Sequence, residues 1–252
     1  MKTMTFAEAI ENALAQAMAK DKRIIILGED VEMIRLNLFT RYGKERVLAA
    51  PISEGAFVGA AVAAAMAGLR PVVEVMLVDF IGVAMDAILN HAAKVETFSG
   101  GKWKVPLVVR MACGGGYGDG GPHEQSLWGW LSHIPGLTVV VTSTPSDAGG
   151  LMLSAIYHEG PVIYLEHKLL ADYWLDYLGA GGRKTVKYDV PDRGARGPVE
   201  VPIQSVEIGK AVTRRKGTDI TMAGVGVSVH RALDAAENLE KIGLSTEVLD
   251  LR

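Results

Sequence analysis

Four side chains that could bind or act on a ligand stand where predicted strands end or predicted helices begin. Glu54 precedes one helical pattern and His123 leads another, while Met76 and Phe80 follow a short apolar run. A carboxylate and an imidazole can exchange protons with a ligand, and an aromatic ring can pack against one. In a sheet of parallel strands, the loops that bear these residues gather at one edge, where ligands bind.

Each of these residues also has an ordinary structural explanation. A glutamate at the start of a helix interacts favourably with the helix dipole. Methionine and phenylalanine mostly fill cores, and a single histidine is mostly a hydrogen-bonded side chain of the surface or core. Residue type and spacing alone therefore leave both explanations open.

Other catalytic patterns are incomplete. The stretch 123–127 begins like the helix of a zinc protease, but Leu127 stands where the second histidine ligand belongs. The stretch 226–230 resembles the nucleophile elbow of a serine hydrolase, but it closes with His230 instead of glycine. The stretch 116–121 has the letters of a dinucleotide-binding loop, yet no helix starts inside it. We interpret it as a tight or flexible active-site loop.

The elements that must position the candidate residues alternate along the chain. Thr5 and Glu8 form a capping box that opens a helix predicted over 6–20. Short apolar runs predict strands at 23–27, 71–76, 105–111, 137–142 and 161–166. Helical patterns lie between them at 56–67, 80–97, 124–133 and 146–158. This alternation predicts an α/β fold, a doubly wound parallel sheet with helices on both faces.

The pattern changes near residue 170, where the chain becomes polar and rich in glycine and proline. We predict a first domain over 1–185, a linker over 186–205 and a second domain over 206–252. The patterns of the second domain are a strand, a helix and a strand at 219–224, 229–242 and 245–251. One such unit cannot cover both faces of its own sheet, so we expect the beginning of a domain whose remainder is absent.

Composition excludes several classes of protein. The 26 basic and 29 acidic residues give a net charge of -3, so nucleic acid is not an expected partner. The most apolar run, 56–69, is shorter than the ~18 residues of a membrane span, and the N-terminus lacks a secretory signal. The single cysteine, Cys113, can form no disulfide within the chain, which favours the reducing cytoplasm.

Several stretches, in order along nearly the whole chain, resemble the beta chain of the decarboxylating component of 2-oxo acid dehydrogenase complexes. They are Pro51-Ile52-Ser53-Glu54, Gly59-Ala60-Ala61, Ala65-Met66-Ala67-Gly68-Leu69-Arg70-Pro71, Glu74-Val75-Met76 with Phe80, Asn90-His91-Ala92-Ala93-Lys94, His123-Glu124-Gln125, His133-Ile134-Pro135-Gly136-Leu137 and Tyr164-Leu165-Glu166-His167-Lys168. Pyruvate, branched-chain 2-oxo acid and acetoin dehydrogenases share this architecture. Two of the stretches, 134–136 and 166–168, look most like acetoin dehydrogenase.

The resemblance implies a pyrimidine-binding domain for thiamine diphosphate, followed by a transketolase-type C-terminal domain. Glu54 would share a proton with a ring nitrogen of the aminopyrimidine, so that the exocyclic nitrogen can remove the thiazolium C2 proton. Phe80 would stack on the pyrimidine, and Met76 and Ile52 would line its pocket. His123 would face the reacting centre, where it orients or protonates intermediates and helps acyl transfer to a lipoyl arm.

The resemblance also implies partners. The family's alpha chain holds the diphosphate and its magnesium ion, and a lipoyl acyltransferase and a second beta chain complete the assembly. The triplet Gly118-Asp119-Gly120 opens the magnesium motif of thiamine diphosphate enzymes, but the asparagine that the motif requires is missing, since the next one is Asn238. We therefore expect activity only with an alpha chain. The chain also ends before the family's usual terminus.

Three departures from the family's pattern bear on the substrate more than on the cofactor. Glu124 replaces a serine, Gly55 replaces a methionine, and the loop between Asp30 and Tyr42 is shorter than usual.

Some members of the family bind a potassium ion through carbonyl groups. The corresponding positions are near Leu107, Ala155, His158 and Gly160, and His158 replaces an aspartate.

The function predicted from these features is that of a beta subunit of a 2-oxo acid or acetoin dehydrogenase. One alternative is the pyrimidine-binding half of a split transketolase-like enzyme, which should carry an Arg and His cluster for sugar phosphates that we do not identify. The other alternative is a non-catalytic scaffold. Retention of Glu54, Phe80 and His123 together argues against a pure scaffold.

Overall fold

The computed structural model describes residues 1–115, 120–171 and 195–252. Its largest sheet has six parallel strands in the order β3-β2-β4-β5-β7-β6. The strands are β2 (Ile24–Glu29), β3 (Val47–Ala50), β4 (Arg70–Leu77), β5 (Val108–Cys113), β6 (Thr138–Thr142) and β7 (Val162–His167). The predicted doubly wound parallel sheet is confirmed. Most of the glycine-rich stretch 116–121 and the predicted domain boundary at residue 185 lie outside the described residues.

Helices cover both faces of the sheet because successive strand residues point to opposite sides. Val72, Val108 and Val162 pack in one core cluster with α1 (Phe6–Lys20) and α7 (Pro145–Tyr157). Their chain neighbours pack in a second cluster with α4 (Glu54–Met66) and the segment after β4; these neighbours are Val73, Val109 and Ile163. Burial on both faces explains why the strands consist of unbroken apolar runs.

The first helix follows its prediction closely. The Thr5 hydroxyl accepts a hydrogen bond from the Glu8 amide, and the Glu8 carboxylate accepts one from the Thr5 amide at 2.8 Å. The capping box is therefore present, because residues three apart at a helix start can reach each other without help from tertiary contacts.

The helical segment predicted over 80–97 is present but is not one continuous α-helix. The chain instead forms a 3-10 helix (Val78–Ala84), a π-helical turn (Asp86–Ala92) and the short α5 (Val95–Phe98). The 3-10 helix packs against α4 so closely that a Cβ atom at Gly55 would lie 3.2 Å from the Val83 carbonyl oxygen. This tertiary contact overrides the helical pattern.

Only the second half of the helix predicted over 124–133 is present. A 3-10 turn (Gly121–His123) leads to the short α6 (Trp128–Ser132). Between them, Gln125 makes main-chain hydrogen bonds with other elements, because its carbonyl accepts from Gly114 at 2.7 Å and its amide donates to Asp79 at 3.2 Å. These bonds use main-chain groups that a helix would need.

Several short elements were not predicted. They are α2 (Val31–Ile34), α3 (Leu36–Tyr42), β3 and an antiparallel pair of β1 (Lys2–Thr5) with β8 (Arg196–Val199). Strand β8 lies within the stretch that we predict as a linker, and the exact domain limits stay a prediction.

The C-terminal region consists of β9 (Val212–Arg215), β10 (Ile220–Gly224), α8 (Val227–Glu240) and β11 (Thr246–Asp250). Strand β11 lies between β10, which is parallel to it, and β9, which is antiparallel. Strands β10, β11 and α8 confirm the predicted elements to within a few residues. Across the described ranges of the chain, every helix is too short or too polar to cross a membrane.

Candidate active site

Phe80 and His123 meet above the carboxyl ends of the central strands. Phe80 lies in the 3-10 helix that follows β4, and His123 ends the 3-10 turn after β5. Their ring centroids are 5.9 Å apart at an interplanar angle of 86°, an edge-to-face contact. The structure therefore brings together two of the residues that the sequence singled out, although they are distant along the chain.

Glu54 is the first residue of α4, and only 8% of its surface is exposed. Ser53 at the N-cap makes no side-chain cap bond, and in the described part of the chain the Glu54 carboxylate has no hydrogen-bond partner. The helix dipole favours the negative charge at this place. The oxygens of this mostly buried carboxylate are therefore available to accept hydrogen bonds from a group outside the described part of the chain.

A second carboxylate, Glu29, stands near Glu54 at the end of β2. The pKa of Glu29 is raised mainly by burial, and the negative charges of Asp30 and Glu54 raise it further. The main chain approaches closely here, because a Cβ atom at Gly28 would lie 2.3 Å from the Glu74 carbonyl oxygen. The edge of the sheet next to Glu54 is therefore acidic.

Met76, at the end of β4, lines a cavity of about 250 Å³ on the α1 side of the sheet. Among the described residues that line this cavity are the charged groups Glu11, Glu29, Arg35, Glu74, Arg110 and Glu166. Glu54, Phe80 and His123 are not among them. Ile52 lies elsewhere on the surface, where 75% of it is exposed. Like Phe80, Ile52 is not among the described residues that line the Met76 cavity.

The cavity wall contains a buried ion network that our sequence reasoning missed. Arg35 donates to both carboxylate oxygens of Glu74, at 2.7 and 3.0 Å. Arg110 pairs with Glu74 at 3.1 Å and also with Glu166. Burial raises the pKa of Glu74, while the charge of Arg35 opposes that rise. A signal was present, because Glu74, Arg110 and Glu166 each interrupt an apolar strand.

The carbonyl groups assigned by resemblance to a potassium ion have partners within the chain. The Leu107 carbonyl accepts from Val162 at 2.8 Å, and the Ala155 carbonyl accepts from the His158 amide at 3.2 Å. Arg70 donates to the His158 carbonyl at 3.2 Å. The Arg70 guanidinium therefore already lies beside this group of carbonyls. An open cleft next to them is lined in part by His158 and Gly160.

No three His, Cys, Asp or Glu residues of the described ranges lie close enough together to hold a metal ion.

The six parallel strands with helices on both faces form an α/β domain of the transketolase pyrimidine-binding type. Residues 2–172 match the family model of the transketolase pyrimidine-binding domain, and residues 209–252 match that of the transketolase C-terminal domain. A solved structure described as "Split gene transketolase, inactive beta4 tetramer" has the same fold, with a TM-score of 0.72 and 20% identity over 98% of this chain and 71% of that one.

The similarity to curated proteins is more specific. The chain is 37% identical to the 2-oxoisovalerate dehydrogenase subunit beta of Bacillus subtilis, and it covers 72% of that protein over its own full length. It is 36% identical to the beta subunit of acetoin:2,6-dichlorophenolindophenol oxidoreductase of the same organism, again over the full chain and 72% of the relative. Identity to the mitochondrial pyruvate dehydrogenase E1 beta subunit of Dictyostelium discoideum is 38%, over the full chain and 67% of the relative.

The chain therefore belongs to the family of E1 beta subunits of 2-oxo acid and acetoin dehydrogenases. This confirms the resemblance read from the sequence, and it favours the dehydrogenase function over the transketolase-like alternative.

Proposed function

We propose that this chain supplies the pyrimidine side of a thiamine diphosphate site, shared with an alpha subunit, in a dehydrogenase that acts on a 2-oxo acid or on acetoin. The observation that carries the proposal is the Glu54 carboxylate, which is mostly buried at a helix start and has no partner within the described residues. Glu54 heads the helix that packs against the 3-10 helix of Phe80, and Phe80 contacts His123.

Glu54 can accept a hydrogen bond from a ligand. At the first position of α4 its carboxylate makes no bond to the helix start, whereas Glu8, at the third position of α1, does, so the oxygens of Glu54 stay available as acceptors. A buried carboxylate that shares a proton with a ring nitrogen can favour one tautomer of the ring. When bound, thiamine diphosphate supplies a carbon nucleophile that cleaves the bond next to the substrate carbonyl. Glu54 would hold the proton on which that activation depends.

Phe80 and His123 have complementary tasks in the proposal. The Phe80 ring presents an apolar surface on which a pyrimidine can stack. The His123 imidazole, held edge-to-face against that ring, would orient the substrate carbonyl and donate or accept a proton there. Met76 would line the pyrimidine pocket from β4. Ile52 is exposed in this chain, and we assign it to the same pocket on the side that a second subunit closes.

Partners and ions follow the family resemblance. We assign the diphosphate and magnesium to the alpha subunit, and acyl transfer to a lipoyl acyltransferase, with a second beta chain in the assembly. A potassium ion at the carbonyls near Leu107 and His158 would compete with the hydrogen bonds of Arg70, and we give it no part in the reaction. The cytoplasmic location suggested by the single cysteine stays a prediction.

Replacement of Glu54 by glutamine tests the proposal. Glutamine keeps the shape of the side chain but cannot share the proton. We expect turnover of the complex with its alpha subunit to fall by at least about 10²-fold, since general acid-base assistance is typically worth that much. Activity should be measured with 2-oxoisovalerate, pyruvate and acetoin, and sugar-phosphate ketol transfer should be measured beside them.

The matched control is Glu8→Gln, because Glu8 also stands in the first turn of a helix but bonds its own cap. This control should keep nearly full turnover. Normal turnover in the Glu54→Gln complex would contradict the role of Glu54. Ketol transfer without dehydrogenase activity would support the transketolase-like alternative, and inactivity of the unaltered complex in every assay would support a scaffold.

A further inference from the structure

The turn that carries His123 is hydrogen-bonded to residues that follow three neighbouring strands of the sheet. We call residues 123–125 the His123 turn. Asp79 follows β4, Gly114 follows β5 and Lys168 follows β7, and these strands are adjacent in the sheet order β4-β5-β7. The turn itself lies far from two of these strands along the chain. Its position is therefore decided by contacts with the strand ends.

Each strand end holds a different main-chain group of the turn. The Lys168 ammonium group donates to the His123 carbonyl oxygen. An Asp79 carboxylate oxygen accepts from the Gln125 amide at 3.2 Å, and the Gly114 amide donates to the Gln125 carbonyl at 2.7 Å. Main-chain groups on both sides of Glu124 are thereby fixed.

The two charged anchors match the polarity of the groups that they hold. A cation lies on a carbonyl and an anion lies on an amide, and hydrogen bonds with one ionised partner are about twice as strong as neutral ones. Lys168 is fully buried. Burial of an ammonium group is unfavourable unless its donors are satisfied, and an apolar side chain would fill the same space without that cost. The lysine thus has a task beyond packing.

Asp79 also connects the two rings of the site. It precedes Phe80 in the 3-10 helix, so the residue that anchors the His123 turn is covalently next to the ring that His123 contacts. We propose that Asp79 and Lys168 are positioning residues that set the imidazole of His123 against the ring of Phe80. Neither needs to touch a ligand. The proposal rests on the proposed function only where activity is measured.

The first test measures the position of the imidazole itself. The full chain, labelled at histidine, is compared by NMR with its Lys168→Met, Lys168→Arg and Asp79→Asn variants, and the His123 resonances are assigned with His123→Gln. The Phe80 ring shifts the resonances of protons beside it. We expect Lys168→Met and Asp79→Asn to move the His123 ring resonances, and Lys168→Arg to restore them toward the original values.

The control is Lys94→Met, because the Lys94 ammonium group also donates to a loop carbonyl, that of Pro135, at 2.8 Å. It should leave the His123 resonances unchanged. Unchanged His123 resonances in both Lys168→Met and Asp79→Asn would overturn the proposal. If Lys168→Met does not fold, as judged by its thermal transition, Asp79→Asn decides alone, since asparagine keeps the shape and removes the charge.

The second test measures turnover of the complex with its alpha subunit. A misplaced catalytic group can cost up to about 10²-fold in rate, so we expect Lys168→Met to lower kcat by about 10-fold or more. KM should stay within about twofold, and Lys168→Arg should recover part of kcat, because arginine keeps a charged donor but must fit a larger group into a fully buried position. Moved resonances with unchanged kcat would confirm the positioning and contradict the proposed role of His123, so the two failures are distinguishable.

Discussion

The first 171 residues and the C-terminal region from residue 209 are both built from β and α elements, but different forces hold them. In the first region, two core clusters cover both faces of six strands. In the C-terminal region, the core cluster that forms among the described residues of that region contains only Val229, Ala236 and Val248, while buried Val227 packs into a cluster of the first region. Ile220 and Ile242 are exposed there. Apolar burial stabilises the first region far more than the second.

Apart from the apolar contacts of Val225 and Val227, the C-terminal region is attached to the first by charged groups. Arg214 of β9 pairs with Asp147 of α7 and, at 2.8 Å, with Asp250 of β11. Arg252 pairs with Asp147 at 2.8 Å, and the Ser143 hydroxyl donates to Asp250. Both aspartates are buried. Asp147 of the first region is thus paired with two arginines of the C-terminal region, and removing one partner of a buried ion pair is strongly unfavourable.

The largest effect should come from removing apolar volume in the first region. Leu165→Ala, at a fully buried position of β7, should lower the free energy of unfolding by about 4 kcal/mol, because it leaves a cavity in the second core cluster. The control is Leu249→Ala in β11, a half-buried position, which should cost only about 1 kcal/mol. Denaturant titration of both variants measures this. Equal losses in the free energy of unfolding would contradict a stronger apolar core in the first region.

Removing the central cation of the contact should have the next largest effect. Arg214→Met leaves the buried Asp250 and Asp147 with one partner fewer, and we expect a loss of about 3 kcal/mol in the attachment of the C-terminal region. Arg215→Met is the control, since its pair with Glu240 is largely exposed and should contribute at most about 1 kcal/mol. Limited proteolysis between the regions, quantified against denaturant, reports the attachment. A loss no greater than that of the control would contradict it.

Hydrogen exchange should resolve the two regions without any substitution. We expect amides of Ile220–Gly224 and Thr246–Asp250 to exchange at least about tenfold faster than those of Val108–Cys113, because few apolar contacts protect the smaller sheet. Mass spectrometry of peptic peptides measures this. Equal protection of all three strands would mean that the ion pairs couple the regions into one unit.

The smallest effect should come from a charge pair at the surface of the first region. Arg23 hydrogen-bonds Asp21 and lowers the pKa of its carboxyl group. A carboxyl whose pKa is lower in the folded state stabilises the fold above its unfolded pKa, and this contribution is lost as the pH falls through the folded pKa. Asp21→Asn should therefore be slightly less stable than the parent at neutral pH and equal to it in acid. A thermal melt series across pH checks the convergence, and a constant difference would exclude it.

The regular part of the fold could be predicted because its signals are local. The Thr5 and Glu8 pair marks the start of α1, and unbroken apolar runs mark the strands that are buried on both faces. The two helix predictions that the structure corrects concern residues 78–98 and 121–132, the segments that carry Phe80 and His123. There, packing against α4 and hydrogen bonds to strand ends outcompete the helical periodicity of the sequence.

The same distinction between local sequence signals and tertiary contacts applies to the candidate site. The sequence by itself determined the family and the parallel sheet, and it singled out Glu54, Phe80 and His123 as candidates, because these signals lie in residue types and their order along the chain. Only the tertiary structure decided that Phe80 and His123 touch, that Glu54 is buried without a partner in the described residues, and that Lys168 and Asp79 hold the His123 turn. These contacts join residues far apart in sequence, and they exist only once neighbouring parallel strands place their ends side by side.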